Sequence, residues 1–316
     1  MNNTITLKLK LIQEEQLFNT FSEFQTIPPQ YAKWQLKPEN CVITCYISGK
    51  TVFQGKDANV YAATFMEEPT TTQSTTTNHY PQAGSDEVGT GDYFGPVCVC
   101  ASYVTKDDVD FLVKLGVRDS KQMSDADMLK IGPLLMERIP HSLLIVPPQK
   151  YNQVHESNNL NAIKAKLHNQ AYINLAKKIE LPSFKVIDQF TPETSYYRYL
   201  KNEPQLIRGI HFETKAEDKY LSVAVGSIIS RYGFLKTWQE MEQKYNMTLP
   251  KGSGDKVDIV AQAFVNDMDL SALAKLLNYI LKIQKKYVYE SSMHVFLLLM
   301  YCCYGNAMKR NYLRFF

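Results

Sequence analysis

The stretch Gly84-Ser85-Asp86-Glu87-Val88-Gly89-Thr90-Gly91-Asp92-Tyr93-Phe94-Gly95-Pro96 sets two adjacent acids among glycines, and a β-forming run, Pro96 to Val104, follows it directly. Neighbouring carboxylates at a strand end repel each other unless something neutralises them. A divalent cation does so well: Mg²⁺ takes a few carboxylate oxygens and keeps waters and substrate phosphate as its other ligands. The glycines allow a sharp turn or a close backbone approach to a ligand. An acidic pair in a glycine-rich surface turn has the same pattern, so on these residues alone both readings stand.

Two further acidic groups bear on the choice. Asp188 follows the short apolar strand Phe184-Lys185-Val186-Ile187, whose end would deliver a side chain to a cleft. Glu217 and Asp218 are expected to open a long helical pattern, Glu217 to Tyr245, running through Val223, Ile228 and Ile229. Acids in a first helical turn also serve as caps and favour the helix dipole. Three groups from distant sequence form one carboxylate cluster if the chain brings them together.

Outward from this stretch, strand and helix patterns alternate. Asp107–Leu115, Asp125–Glu137 and Leu160–Ile179 read as helices, and Ser142–Val146 as a strand. The helix from Leu160 carries Lys164, Lys166, His168, Lys177 and Lys178, which suit either a nucleic-acid backbone or solvent. Upstream, the run EEPTTTQSTTTN (67–78) has no large apolar anchor and reads as a linker. Before it, Ile5, Leu7, Leu9 and Leu11 alternate in a strand over Thr4–Leu11, and Leu17, Phe18, Phe21 and Phe24 recur at helical spacing within Gln13–Phe24. Strand-like runs at Tyr31–Leu36, Cys41–Ile47 and Thr51–Gln54 and a helix over Asp57–Met66 complete a β-α-β-β-β-α order. That order implies a curved antiparallel sheet backed by helices, with Lys8, Lys10, Lys33 and Lys37 on its open face. A solvated face would carry the same lysines.

With 316 residues the chain has room for about two domains. Its 45% hydrophobic and 21% charged residues exclude a disordered chain. A formal charge of +3 is too mild for a global field, so a nucleic-acid ligand would need locally clustered charge. Cys41, Cys45, Cys98, Cys100, Cys302 and Cys303 lack zinc-site spacing and are too few to staple the chain, which implies reduced thiols. Met1–Glu15 has no apolar core of signal-peptide length, and the run Met293–Tyr304 is too short to span a bilayer. A soluble, cytoplasmic protein without membrane contact is expected.

Four segments then carry a resemblance. GSDEVGTGDYFGP (Gly84 to Pro96), Asp119-Ser120-Lys121, the segment Val186 to Phe190 and HFETKAEDKYLSVAVGSIISRY (His211 to Tyr232) resemble the type 2 ribonucleases H. The N-terminal extension and Thr214-Lys215-Ala216-Glu217 are closer to the ribonuclease HIII branch of low-GC bacteria. The resemblance runs from about residue 1 to 270. It implies an α/β fold: a TATA-binding-protein-like α+β domain over 1–66, a linker over 67–79 and a ribonuclease H-like catalytic domain over 80–277. It further implies a monomer that cleaves the RNA strand of RNA–DNA hybrids, using two Mg²⁺ ions, or Mn²⁺ in their place. Asp86, Glu87 and Asp188 match the family's metal-binding acids. Glu217 or the adjacent Asp218 supplies the fourth carboxylate, with alignment on Ser227-Ile228-Ile229 favouring Glu217. Gly89, Thr90 and Gly91 match a loop that reads ribose 2′-hydroxyls through its backbone, and Ser120 and Lys121 match phosphate contacts. A non-catalytic nucleic-acid binder and a related nuclease acting on DNA are the competing readings.

The end of the chain departs from the family's pattern. Residues 278–316 lack the His-Phe-x-Asn-Thr-Glu-Lys-like segment that usually closes these proteins. An AT-rich back-translation of Leu277 to Val288, read two bases along, restores Lys-Leu-His-Phe-Lys-Asn-Thr-Glu-Lys. This implies a frameshift near Lys275–Leu277, against the alternative of a lineage-specific C-terminal helix; the gene's nucleotide sequence decides between them.

Overall fold

The structure is a computed structural model that describes residues 3–63, 65–66, 79–117, 123–252, 257 and 259–260. The 67–79 linker (apart from His79), Ser120, Lys121 and the 278–316 tail lie outside the described residues.

The first sheet is built from β1 (Asn3–Lys8), β2 (Gln25–Thr26), β3 (Ala32–Leu36), β4 (Val42–Tyr46) and β5 (Lys50–Gly55). It is antiparallel throughout, in the order β1-β5-β4-β3-β2. Helices α1 (Leu11–Thr20) and α2 (Ala58–Ala63) cover one face. Leu17 and Phe21 pack there with Trp34, Leu36, Ile43 and Phe53, and burial of this stripe gives the unit a core of its own. The expected antiparallel sheet backed by helices is present, with β2 as an added two-residue strand.

Two local expectations fail. The alternation predicted a strand through Leu11, yet β1 stops at Lys8 and Leu11 opens α1, 69% exposed. The backbone N–H of Lys10 donates to Gln13 Oε1 at 2.9 Å, a cap that starts the helix and overrides the period-2 pattern. Lys33 was expected on the open face. The β3–β4 register shifts between Ala32 and Trp34, and Lys33 Nζ instead meets Glu14 of α1 at 2.9 Å. The middle of the open face is uncharged: Thr6, Val52, Thr44, Gln35 and Thr26 lie in one cross-strand row. Gln35 Nε2 donates to Thr44 Oγ1 at 3.0 Å within it.

The second sheet runs β10-β9-β6-β7-β8, from β6 (Gln82–Val88), β7 (Val97–Val104), β8 (His141–Val146), β9 (Phe184–Asp188) and β10 (Ile210–Glu213). Strands β6, β7 and β8 are antiparallel, while β9 and β10 run parallel to β6 and to each other. Helices α3 (Val109–Lys114), α4 (Asp125–Arg138), α5 (Pro148–His155), α6 (Leu160–Ala176), α7 (Glu193–Tyr199) and α8 (Leu221–Tyr245) surround it. On β7, Val99 and Ala101 meet Ala165, Tyr172 and Leu175 of α6, while Cys100 meets Ala224 and Ile228 of α8. Burial on both faces explains why β7 reads as an unbroken apolar run and not as an alternating one.

Contact between α8 and the sheet depends on small residues. A Cβ on Gly84 would stand 2.4 Å from the Val223 nitrogen, and one on Gly226 would stand 2.9 Å from the Cys100 carbonyl oxygen. The approach is anchored by Gln82 Oε1, which accepts from Ser222 Oγ at 2.9 Å. Cys41, Cys45, Cys98 and Cys100 are buried free thiols, and burial pushes Cys41 up to about 11 and Cys98 up to about 12, so both stay protonated and inert. Among the described residues no helix is long and apolar enough to cross a membrane.

Candidate active site

Successive residues of a strand point to opposite faces, and β6 uses this to separate its two acids. Asp86 lies on the side of Gly84, toward α8, where Ser230 Oγ donates to the Asp86 carbonyl at 3.2 Å. Glu87 lies on the side of Ser85, toward α6, where His168 and Lys164 receive it. Parallel pairing of β6 with β9 aligns Ser85 with Ile187, which brings Asp188 to the same sheet end as Asp86 and Glu87. Asp188 Oδ1 accepts from the backbone N–H of Ala216 at 2.9 Å.

Glu217 and Asp218 do not open the long helix as the sequence pattern suggested. They sit in a 3₁₀ turn, Ala216–Asp218, and α8 begins only at Leu221. Lys215, in the left-handed region at φ 55°, turns the chain off β10 into that turn. Helical periodicity cannot signal such a break. The turn sets Glu217 against the other acids: its charge is among the main causes that raise both Asp86 and Asp188, whereas Asp218 is not.

The electrostatics separate two kinds of carboxylate. Asp86 is 8% exposed, and burial first, then the charges of Asp188, Glu87 and Glu217, push its pKa well above the carboxylate range. Asp188 is raised to about 7, by burial and then by Glu217. Burial also pushes Glu87 up, but the Lys164 ammonium and the His168 hydrogen bond outweigh it and hold Glu87 down at about 2. Lys164 Nζ contacts Glu87 Oε1, and His168 Nε2 lies 2.7 Å from Oε2. His168 is fully buried, bonded at Nδ1 to Ser85 Oγ at 2.6 Å, and its ring stacks on Phe190 at 5.3 Å. The Lys164 ammonium overlies the same Phe190 ring at 4.1 Å.

By sequence, Lys164 and His168 are two of several basic residues on one helix. Their i,i+4 spacing, which puts both on one face, was the available signal. The other lysines of that set are turned elsewhere: Lys166 meets Glu203 at 3.1 Å and Lys178 donates to the His141 carbonyl at 2.7 Å. In the loop, Gly89 has φ 91°, and a Cβ there would lie 2.1 Å from the Pro96 oxygen, so only glycine fits. Gly91 faces Gln16 of α1, whose Nε2 stands 3.2 Å from where a Cβ would be. Tyr93 and Phe94, just beyond, are sunk among Phe234 and Trp238 and fix the loop in place. Ser120 and Lys121 are outside the described residues.

As a donor set, Asp86, Glu87, Asp188 and Glu217 are hard oxygen ligands, and the raised Asp86 and Asp188 register their crowding, which fits Mg²⁺ or Mn²⁺. Among the described residues no three His, Cys, Asp or Glu side chains stand at ligating distance of one point. In this arrangement both oxygens of Glu87 are engaged, and Asp188 Oδ1 accepts from the Ala216 N–H.

Known proteins give this sheet end its context. A family model for Ribonuclease HII matches residues 83–282, and a domain of unknown function (DUF3378) matches residues 4–78. These matches define the class as type 2 ribonuclease H. Ribonuclease HIII of Listeria monocytogenes serotype 4b (strain CLIP80459) is 40% identical over 292 residues, covering 87% of this chain and 94% of that protein. Ribonuclease HIII of Streptococcus gordonii is 42% identical over 246 residues, covering 77% and 83%. The crystal structure of Bst-RNase HIII in complex with Mn²⁺ superposes with a TM-score of 0.64 at 32% identity, covering 91% of this chain and 99% of that one. The chain belongs to the ribonuclease HIII family and is an enzyme with a ribonuclease H-like fold.

Proposed function

We propose that the chain hydrolyses the RNA strand of RNA–DNA hybrids endonucleolytically, leaving 5′-phosphate and 3′-hydroxyl ends. The observation that carries this reading is the convergence of Asp86, Glu87 and Asp188 at one end of the sheet, where the charge of Glu217 helps to raise both Asp86 and Asp188. Four acids from three sequence regions share one field there, an arrangement with no structural benefit unless cations relieve it. Asp86, Asp188 and Glu217 would hold the cations together with Glu87. Two such ions would supply an activated water and stabilise the leaving 3′-oxygen.

The remaining work falls to the chain itself. Gly89-Thr90-Gly91 offers backbone groups to the ribose 2′-hydroxyl, the feature that separates RNA from DNA, and its glycines permit the close approach. Ser120 and Lys121 are assigned to the adjacent phosphate on the motif alone. The face of the first sheet turned away from α1 and α2 holds the duplex backbone, with Lys8 and Lys50 paired across β1 and β5 as its cations. No covalent nucleophile is needed.

The test is an end-labelled hybrid incubated with the full chain. Cleavage within the RNA strand is expected in Mg²⁺ or Mn²⁺ and none in EDTA, and the same duplex with DNA in place of the RNA strand stays intact. Cleavage in EDTA, or equal cleavage of the all-DNA duplex, would refute the reading.

A further inference from the structure

The grip on Glu87 is asymmetric, and the asymmetry has a chemical meaning. On Oε2 sits a partner that cannot move: His168 is fully buried, tied at its other ring nitrogen to Ser85 and stacked on Phe190. On Oε1 sits a longer side chain with more rotatable bonds. Lys164 ends in a compact ammonium on a flexible four-carbon stem, and its Nζ already rests 4.1 Å from the Phe190 ring centre. An ammonium over an aromatic face keeps part of its stabilisation when it leaves an anion. A divalent cation that takes Glu87 as a ligand must therefore take Oε1, the oxygen under Lys164, because Oε2 faces the buried imidazole.

We propose that Lys164 is an exchangeable counter-ion of Glu87: it occupies the ligating oxygen, yields it to the entering metal by shifting along the Phe190 ring, and so sets the affinity of the site for its cation. The inference rests on the proposed function in one respect only, that Glu87 is a metal ligand. Lys164 is a positioning residue here; it acts on the reaction through Glu87. His168 has the complementary task of holding the carboxylate plane while the exchange occurs, in the manner of the outer-shell partners that orient metal ligands.

The experiment is a Mn²⁺ titration of the full chain, followed by the paramagnetic resonance of free Mn²⁺, without nucleic acid. Removing a competing unit charge at contact distance is expected to tighten Mn²⁺ binding about tenfold in Lys164→Met. In a Glu87→Gln background, where the competition has no object, the same substitution is expected to change the dissociation constant by less than about twofold. Lys164→Gln, which keeps a donor without the charge, serves if the Met variant fails to fold, and tightens binding in the same sense. A ¹⁵N-labelled lysine spectrum of the unsubstituted chain gives a direct view: one ammonium signal, absent in Lys164→Gln, shifts when Mg²⁺ is added. Unchanged or weaker binding in the Lys164 variants, an equal gain in the Glu87→Gln background, or a Lys164 signal indifferent to Mg²⁺ would each overturn the proposal. A chain that shows the exchange yet leaves hybrids uncut keeps this inference and loses the nuclease reading. One that cuts hybrids with metal affinity indifferent to Lys164 does the reverse.

Discussion

Asp86→Asn is expected to lower hybrid cleavage by roughly 10³-fold or more while leaving the fold and hybrid binding in place. Asp86 lies where β6 enters the shared field of four acids and is almost fully enclosed, so no neighbouring carboxylate can swing into its position. The substitution is gentle on the structure. The Asp86 Oδ1 oxygen accepts the Glu87 backbone N–H at 2.7 Å, and the amide oxygen of Asn accepts it equally. One buried charge disappears from a crowded site, which does not destabilise the chain. Single-turnover cleavage of a labelled hybrid, with binding by fluorescence anisotropy, separates the two effects. A variant that cuts within tenfold of the unsubstituted chain would remove Asp86 from the reaction.

The second expectation concerns stability. Asp188 titrates near 3.8 in an unfolded chain and at about 7 in this fold, so the native state holds its proton more tightly than the unfolded state does. Below about pH 3.8 the carboxyl is neutral in both states and the fold loses nothing. As pH rises from there to about 7 the unfolded chain gives up the proton first, and stability falls until the penalty is complete above pH 7. Asp188→Asn removes the group that titrates and keeps an oxygen for the Ala216 N–H. In EDTA the variant should be about 2 kcal/mol more stable than the unsubstituted chain at pH 8, and equal to it at about pH 3. Denaturant unfolding at the two pH values measures it; a variant less stable at pH 8 would contradict the crowded-carboxylate account.

How far the sequence reached depends on the kind of physics each residue obeys. Asp86 and Glu87 were legible because a strand end, two acids and flanking glycines are local facts. The opposite faces to which they point, and hence the separate fates of Asp86 beside α8 and Glu87 beside α6, follow from sheet pairing with β7 and β9. Alignment on Ser227-Ile228-Ile229 already favoured Glu217 over Asp218, but the 3₁₀ turn after left-handed Lys215 that carries both is a conformation that no apolar spacing announces. Lys164 is the clearest case. A lysine in a basic helix reads as a nucleic-acid contact or as solvated, and only the packing of α6 on the sheet leaves it 8% exposed against Glu87. Lys33 failed as an open-face residue for a similar reason, since the irregular β3–β4 register turned it onto Glu14. Short elements such as β10 and α7 carried too few residues for a periodic signal.

The account depends on the acids of β6, β9 and the turn before α8 binding metal as one group. Anomalous diffraction from crystals soaked in Mn²⁺ addresses this without invoking activity. It should show Mn²⁺ density with carboxylate oxygens of Asp86 and Asp188 at about 2.0–2.3 Å, and Lys164 withdrawn from Glu87 Oε1. Mn²⁺ bound only elsewhere on the protein, with Lys164 still seated on Glu87, would contradict it.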